Sequence, residues 1–353
     1  MEHRPDPRRS IAFYQALPKV ELHRHLEGSL RLETLVEIAQ QHGIAEGRQL
    51  SRLVQVSRSE PHTIQNFLSK FETLRLFYRT CEIIGCITRE AIADAAADNV
   101  RYLELRFTPA ALCKARGFAM AEVIDWVIAG MQQAQTADSP MTRLIVSINR
   151  HEPPALAEQA IRLAVERMYQ GVVGIDVAGN EAGHPDLEPF AGMLAEARQA
   201  GLGLTIHAGE WGGADHVARA IEHYQADRIG HGVRVMEDAA MVALAQEAGI
   251  PFEVCLTSNL QSGVAASLSS HPFRRMLDAG LNVTLNTDDP SISQITLGSE
   301  HELACQELGI TLAELKQCLL RAAKAAFLGE SERAALAQRL GAAFDRAASG
   351  LGG

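Results

Sequence analysis

The chain has 353 residues, 47% of them hydrophobic and 22% charged, so it can bury a sizeable core and large-scale disorder is excluded. Its formal net charge is -10, with Lys and Arg scattered along the chain, which argues against a polyanionic partner such as duplex nucleic acid. This length suits one large α/β barrel with terminal additions, so we expect a single domain over residues 1–353.

The N-terminal segment, residues 1–10, is polar and basic, and neither an apolar stretch nor a small-residue cleavage site follows it. No run of apolar residues reaches membrane-spanning length. The six cysteines show no metal-binding spacing and are typical of reduced thiols. We therefore expect a cytoplasmic protein with no membrane partner, and the sequence leaves its oligomeric state open.

Short β-type runs recur along the chain, and longer amphipathic stretches separate them. Eight strands are predicted at 20–25, 102–107, 144–148, 172–177, 202–207, 228–231, 252–257 and 282–286. Helices are predicted between them at 30–42, 89–99, 119–137, 154–169, 185–200, 214–224, 238–248 and 272–279. Several of these helices are followed by a glycine that is typical of a helix C-terminus, such as Gly201, Gly249 and Gly280.

Eight strands alternating with helices predict a (β/α)₈ TIM barrel with its core at about 18–295. An open doubly wound sheet is the alternative, but the loop after the first strand carries only Gly28 where a phosphate-binding loop has several glycines. Extra helices are expected at 57–80, whose apolar side chains either cover a bound ring or simply pack against the barrel. These side chains are Phe67, Leu68, Phe71, Leu74 and Phe77. Terminal helices are expected at about 296–350.

Four histidines lie at the ends of predicted strands: His23, His25, His207 and His231. The carboxyl ends of all the strands of a barrel converge on one mouth, so these side chains can share one site. Because His23 and His25 are two apart on a strand, both imidazoles emerge on the same face and can reach one ion. By itself, this pair is more often two structural histidines than a metal site.

The end of the last predicted strand adds a carboxylate, Asp288, next to a second one, Asp289. Three imidazoles and one carboxylate form a ligand set that suits Zn²⁺ and leaves one position open for water. Glu210 follows His207 by three residues and could face a substrate and donate a proton, although such a residue is commonly a surface helix cap. His231 could orient or deprotonate the water, or be a structural core histidine.

Taken in order, the motifs around these residues resemble the adenosine deaminase family of the metal-dependent amidohydrolase superfamily. The motifs are His23-Arg24-His25-Leu26-Glu27-Gly28, Ala178-Gly179, His207-Ala208-Gly209-Glu210, Gly230-His231-Gly232, Thr257-Ser258-Asn259 and Asn286-Thr287-Asp288-Asp289-Pro290. They extend from residue 20 to about residue 290, in family order, and together they are highly specific.

The resemblance implies one Zn²⁺ per subunit on His23, His25, His207 and Asp288, and hydrolytic deamination of a purine nucleoside at C6. It implies that Glu210 donates a proton to N1 of the purine and that His231 positions and deprotonates the water. The implied substrate-binding residues are Asp289 near N7, the Gly179 N–H at N3, and His25 and Glu27 beside the ribose.

Two positions depart from the family pattern: Glu27 stands where Asp is usual, and Asn180 stands where an acid is frequent. The longer Glu27 side chain could suit a different 5′ substituent or a free base. The substrates therefore remain, in order, adenosine or 2′-deoxyadenosine, 6-amino-6-deoxyfutalosine, and adenine.

Other classes of protein are less consistent with the sequence. A two-metal amidase on the same barrel would use a lysine in the fourth strand, and 172–177 has none. A catalytically inactive nucleoside-binding protein would lack a metal ligand or the proton donor, and all of these are present.

Overall fold

The computed structural model describes residues 10–44, 49–57 and 59–350. Within this part of the chain, eight parallel strands form one sheet in which each strand pairs with the next along the chain. Residues 1–9, on which the prediction of an N-terminus without a leader depends, lie outside the described residues. The strands are β1 (Lys19–His25), β2 (Val100–Phe107), β3 (Met141–Asn149), β4 (Val172–Ala178), β5 (Gly203–Ala208), β6 (Arg228–His231), β7 (Pro251–Val254) and β8 (Asn282–Leu285).

The first and last strands meet just beyond the end of β8, where Arg24 pairs with Asp288 in a parallel bridge. The His25 N–H donates to the Asp288 carbonyl, and the Asp288 N–H donates to the His23 carbonyl, each at 2.9 Å. These bonds close the sheet into a barrel at its C-terminal rim, which confirms the predicted (β/α)₈ fold. They also place the His-x-His segment directly against the aspartate pair.

Helices surround the barrel and fill most of the crossovers between strands. In the described residues they are α1 (Ile11–Ala16), α2 (Leu32–His42), α3 (Leu50–Val54), α4 (Ile64–Leu74), α5 (Cys81–Ala97), α6 (Pro109–Lys114), α7 (Met120–Gln133), α8 (Pro154–Glu166), α9 (Ala191–Gln199), α10 (Ala214–Glu222), α11 (Ala239–Ala248), α12 (Leu256–Gln261), α13 (Phe273–Asp278), α14 (Pro290–Ser293), α15 (Leu297–Glu307), α16 (Leu312–Ala325) and α17 (Glu330–Gly350). None of them is both long enough and apolar enough to cross a membrane.

The predicted elements agree with the structure except at some of their ends. The seventh strand, predicted to reach residue 257, ends at Val254, and α12 begins two residues later. Here the Thr257 N–H donates to the Glu300 carboxylate at 3.0 Å, a contact from α15 that no local pattern reveals. The helix predicted at 89–99 begins eight residues earlier, at Cys81, because the Thr80 side chain accepts a bond from the Ile83 N–H and caps it.

The N-terminal end of the barrel is closed by Phe327, in the connection between α16 and α17. A Cβ atom built on Gly203 or Gly174 would lie 2.4 or 2.7 Å from this ring, so only glycine admits it. The Arg228 guanidinium lies over the ring at 3.6 Å from its centroid. With this end sealed, the accessible mouth is the opposite one, where the strands end.

Candidate active site

Three imidazoles and a carboxylate converge inside the C-terminal mouth. His23 and His25 come from β1, His207 comes from the end of β5, and Asp288 follows β8. One potential ligand atom from each lies within 4.8 Å of all the others. The barrel therefore brings together residues up to 265 positions apart, as the sequence predicts.

The spacing of these atoms fits a tetrahedral zinc site. Oδ1 of Asp288 lies 3.3 Å from Nε2 of His23 and 3.3 Å from Nε2 of His25. Ligands at about 2.0–2.1 Å from a tetrahedral ion lie roughly 3.3 Å from one another. Nε2 of His23 is buried and has no hydrogen-bond partner within the described structure. A buried ring nitrogen without a partner is costly unless a ligand satisfies it, so the donor set fits the metal.

Buried carboxylates hold two of these imidazoles from behind. Oε2 of Glu253 is 2.7 Å from Nδ1 of His23, and Oδ1 of Asp176 is 2.9 Å from Nδ1 of His207. Arg106 lies between the two carboxylates, at 2.8 Å from Glu253 and 3.3 Å from Asp176. Such partners fix the ring orientation and turn the opposite nitrogen toward an ion.

Sequence reasoning missed Glu253 and Asp176. The signal that could have found them is an acid inside an otherwise apolar strand, as in Phe252-Glu253-Val254 and Ile175-Asp176-Val177. Both acids are fully buried. Since a buried charge requires a partner, each of these acids would have indicated a basic or imidazole group in the barrel interior.

Two residues of the site have backbone conformations that are uncommon for a residue other than glycine. Asp288 has a φ of 68° and His231 a φ of 58°, both in the left-handed region. Such conformations cost free energy and persist where the surrounding contacts over-determine them. Here the hydrogen bonds that join β1 to Asp288 supply part of that constraint.

Glu210 is buried beside the four potential ligands. Its side chain is 3% exposed, which rules out the surface helix cap considered from sequence. Burial raises the pKa of its carboxyl well above the ordinary value, and the charges of Asp288 and Glu181 add to the shift. One carboxyl oxygen lies 3.7 Å from Nε2 of His231. A carboxylic acid that stays protonated at neutral pH can donate a proton.

His231 is held by residues that follow β7. The side-chain amide of Asn259 is hydrogen-bonded to Nδ1 of His231 at 3.1 Å, and His271 is bonded to Asn259 in turn. Nε2 of His231 therefore faces Glu210 and Asp288. Burial holds the pKa of this imidazole well below its usual value. Asn259 belongs to the Thr257-Ser258-Asn259 motif, and Ser258 donates to Asp288 at 2.6 Å.

A cavity of about 250 Å³ opens above the four potential ligands. It is lined by every sequence-predicted site residue except His23: His25, Glu27, Gly179, His207, Glu210, His231, Asp288 and Asp289. His23 is fully buried beneath them. The structure thus gathers all the predicted residues in one place.

Two carboxyl oxygens in this cavity have no protein partner among the described residues, Oε2 of Glu27 and Oδ1 of Asp289. The other oxygen of Glu27 accepts the Thr108 N–H at 2.6 Å, which fixes its side chain. Asp289 lies against Gly28, where a Cβ atom would come within 1.8 Å of Oδ1. Gly28 is therefore required for Asp289 to occupy this position. The two free oxygens are available to a polar ligand.

The apolar side of the cavity comes from α4. Phe67, Leu68 and Phe71 line it. Phe67 is at the same time buried in the hydrophobic core, as are Leu74 and Phe77, so both interpretations of this segment hold in part.

Arg75, in the turn after α4, also lines the cavity. Its backbone N–H donates to the Phe71 carbonyl, whereas its guanidinium makes no hydrogen bond or ion pair with a described residue. The cavity thus has an apolar wall, a set of acids and imidazoles at its base, and a guanidinium in its wall.

Comparison with known proteins identifies a matching family, a relative and two similar solved structures. The sequence profile of the family described as adenosine deaminase matches residues 18–343. The adenosine deaminase of Klebsiella pneumoniae subsp. pneumoniae is 34% identical over 329 residues, which is 92% of this chain and 98% of that relative.

Two solved structures are similar over nearly their full length. One is an amidohydrolase from Burkhoderia ambifaria with bound zinc, with a TM-score of 0.89 and 28% identity, covering 99% of this chain and 97% of that one. The other is the N6-methyl-AMP deaminase of Arabidopsis thaliana, with a TM-score of 0.83 and 28% identity, covering 96% and 99%.

Proposed function

The chain belongs to the adenosine deaminase family, and from that membership we propose that it hydrolytically removes the 6-amino group of adenosine or 2′-deoxyadenosine. The products are inosine or 2′-deoxyinosine and ammonia. The observation that carries this proposal is the cluster of three imidazoles and Asp288 within 4.8 Å, next to the buried carboxyl of Glu210 at the base of a cavity.

The proposed metal is one Zn²⁺ per chain, held by His23, His25, His207 and Asp288. The bound zinc supplies a water of lowered pKa, which makes a nucleophile available near neutral pH. The zinc-containing amidohydrolase with a TM-score of 0.89 supports this choice of metal. Glu253 and Asp176 keep two of the imidazoles oriented for it.

Two residues move protons in the proposed reaction. His231 positions the attacking water and takes its proton as the oxygen adds to C6. Glu210 gives its proton to N1 of the purine, so that no negative charge accumulates on the ring while C6 is tetrahedral. The burial of its carboxyl, which raises its pKa and favours the protonated form, suits that step. His231 then passes the proton it has taken to the amino group, the C6–N bond breaks and ammonia leaves. As the C6 carbonyl forms, the proton of the C6 hydroxyl restores the carboxyl of Glu210.

The remaining residues hold the substrate in place. Burial, together with the charge of Asp288, raises the pKa of the Asp289 carboxyl well above its ordinary value, so its protonated form is proposed to donate to N7. The Gly179 N–H is proposed to donate to N3, so that two edges of the ring are held. The Phe67 and Phe71 side chains offer an apolar wall to the base. His25 and the unpartnered oxygen of Glu27 are proposed to face the ribose.

A second candidate substrate has an anionic substituent on the 5′ side, as in 6-amino-6-deoxyfutalosine. The guanidinium of Arg75 in the cavity wall favours it, because a cation that forms no ion pair with a described residue can pair with such a group. The similar Arabidopsis enzyme is named for a nucleotide substrate, which also carries a negative 5′ group. Adenine ranks third, because it would leave Glu27 and Arg75 without a ligand.

Parallel ultraviolet assays on adenosine, 2′-deoxyadenosine, adenine and 6-amino-6-deoxyfutalosine test these proposals, with zinc measured in the same preparations. We expect the highest kcat/KM on adenosine or 2′-deoxyadenosine. Glu210→Gln should retain zinc and lose roughly 10²- to 10⁴-fold in kcat, the usual contribution of a positioned general acid. Protein that contains no divalent metal when purified, or near wild-type kcat for Glu210→Gln, would contradict the mechanism.

A further inference from the structure

The loop that carries Glu210 wraps around another carboxylate, that of Glu181. This residue lies three positions beyond the end of β4 and is fully buried. It accepts hydrogen bonds from four consecutive backbone N–H groups, those of Gly209 (2.7 Å), Glu210 (3.0 Å), Trp211 (3.0 Å) and Gly212 (2.8 Å). Its first oxygen is also 2.7 Å from Nδ1 of His216.

These N–H groups need such an acceptor. The loop joins β5 to α10, so it can form neither a strand ladder nor a helical turn, and it turns at Gly209 with a φ of 68°. Buried N–H groups without a partner each cost free energy comparable to a lost hydrogen bond. Glu181 satisfies four of them with one side chain and thereby fixes the loop conformation.

Gly212 shows how closely the loop fits this carboxylate. A Cβ atom built on Gly212 would lie 2.6 Å from Oε1 of Glu181 and 2.2 Å from Nδ1 of His216. Any other residue at this position would force the loop away from the carboxylate. His216 lies in the first turn of α10, so the Glu181–His216 pair also joins the end of the loop to the helix that follows it.

We propose that Glu181 is a positioning residue that holds the β5–α10 loop so that the carboxyl of Glu210 points into the cavity beside His231. This inference rests on the proposed function, in which Glu210 donates a proton. The electrostatics are consistent with it: burial alone would raise the pKa of Glu181, but the bonds from His216 and the loop N–H groups lower it. The loop is therefore held by an ionised carboxylate, which is the stronger acceptor.

Asn180, which departs from the family pattern, does not perform this task. Its side-chain oxygen accepts the Gly183 N–H at 3.0 Å and stabilises a local turn. The acid that holds the loop is the next residue along the chain, so the departure at Asn180 leaves the holding contact intact.

Glu181→Gln tests the proposal, with Glu188→Gln as a matched control. Glu188 also pairs with a histidine, His223 at 2.9 Å, but the pair is exposed and distant from the loop. In Glu181→Gln an amide NH₂ group replaces one of the two carboxylate oxygens. That NH₂ group would face the loop N–H donors and could not accept from them. We expect zinc content to remain and kcat to fall by about a hundredfold, the order expected when a catalytic group is misplaced by about 1 Å. The control should retain wild-type kcat.

A double variant separates positioning from general damage. If Glu181 acts through Glu210, adding Glu181→Gln to Glu210→Gln should leave the residual kcat unchanged within twofold. The proposal is overturned if Glu181→Gln alone has wild-type kcat, or if it reduces kcat by the same factor in both backgrounds. If Glu181→Gln does not fold, Glu181→Asp replaces it in every experiment. Aspartate keeps the negative charge, but its side chain is one methylene shorter and does not reach the loop N–H groups in the same way.

Hydrogen exchange supplies a readout that does not depend on activity. In metal-free protein, a peptide spanning residues 209–212 should lose amide protection in Glu181→Gln and keep it in Glu188→Gln. Unchanged protection overturns the proposal. If the wild type deaminates no adenine nucleoside, the proposed function fails. The hydrogen-exchange result still tests whether Glu181 holds the β5–α10 loop, because it does not depend on activity.

Discussion

Glu253, the carboxylate behind His23, gives the sharpest test of how the barrel interior supports the site. It is fully buried in β7, and each of its two carboxylate oxygens accepts two hydrogen bonds. One oxygen accepts from Arg106 (2.8 Å) and His23 (2.7 Å), and the other accepts from Arg228 (2.6 Å) and Thr205 (3.2 Å). In Glu253→Gln one oxygen becomes an NH₂ group. Whichever way the amide turns, that NH₂ faces a guanidinium.

The expected cost follows from these contacts. A hydrogen bond to a charged group contributes about 1.5–3 kcal/mol, and the variant weakens two of them. Each guanidinium keeps a second carboxylate, Asp176 for Arg106 and Glu104 for Arg228, so neither is left as an isolated buried charge. We therefore expect the free energy of unfolding to fall by about 3 kcal/mol. Zinc affinity should fall about 10- to 100-fold, because His23 loses its ionised partner.

Urea unfolding of metal-free protein measures the first quantity, because bound metal would otherwise add its own stabilisation. Competition with a chelator measures the second. The control is Glu300→Gln: Glu300 is also buried, but it accepts from Thr257 and from the Leu256 backbone, and it forms no ion pair with a described Lys, Arg or His. If Glu253→Gln bound zinc as tightly as this control, the proposed support of His23 by Glu253 would be refuted.

Three further predictions concern the cavity and the pH dependence. Asp289→Ala should lower kcat/KM for adenosine by about tenfold or more, because Oδ1 of Asp289 has no protein partner among the described residues and is available to the substrate. The zinc content should be unchanged, and loss of zinc on metal analysis would count against this assignment. Glu27→Asp should change the kcat/KM ratios among the four candidate substrates more than the zinc occupancy, and constant ratios would argue against a ribose-side role. Burial raises the pKa of Glu300 from 4.5 to about 7 in the folded protein. As pH rises from about 4.5 to about 7, Glu300 therefore ionises in the unfolded chain before it ionises in the folded one. The free energy of unfolding of the wild type should fall over this range relative to that of Glu300→Gln. That loss should reach about 3 kcal/mol, and urea titrations showing a difference independent of pH would rule it out.

The amino-acid sequence was sufficient to predict the alternating strands and helices and the residues at the strand ends. Hydrophobic periodicity is a local property, so 228–231 was predicted with the bounds that the structure shows. The assignment of His23, His25, His207 and Asp288 as potential ligands followed from one rule, that parallel strands of a barrel end at a common mouth. Their chemical roles, and the assignment of the whole chain to a single domain, stay predictions.

Only the tertiary structure decided how these residues are held. The pairing of β1 with the segment after β8 brings Oδ1 of Asp288 to 3.3 Å from two imidazoles, and no local pattern encodes that distance. The same holds for Glu253, whose partners lie 25 to 230 residues away along the chain, and for Glu181, whose partners lie 28 to 35 residues away. The seventh strand ends early for a similar reason, since Thr257 bonds to Glu300 on a distant helix. Propensity and periodicity act over a few neighbouring residues, whereas the acceptor for a buried donor is set by the closure of the whole barrel.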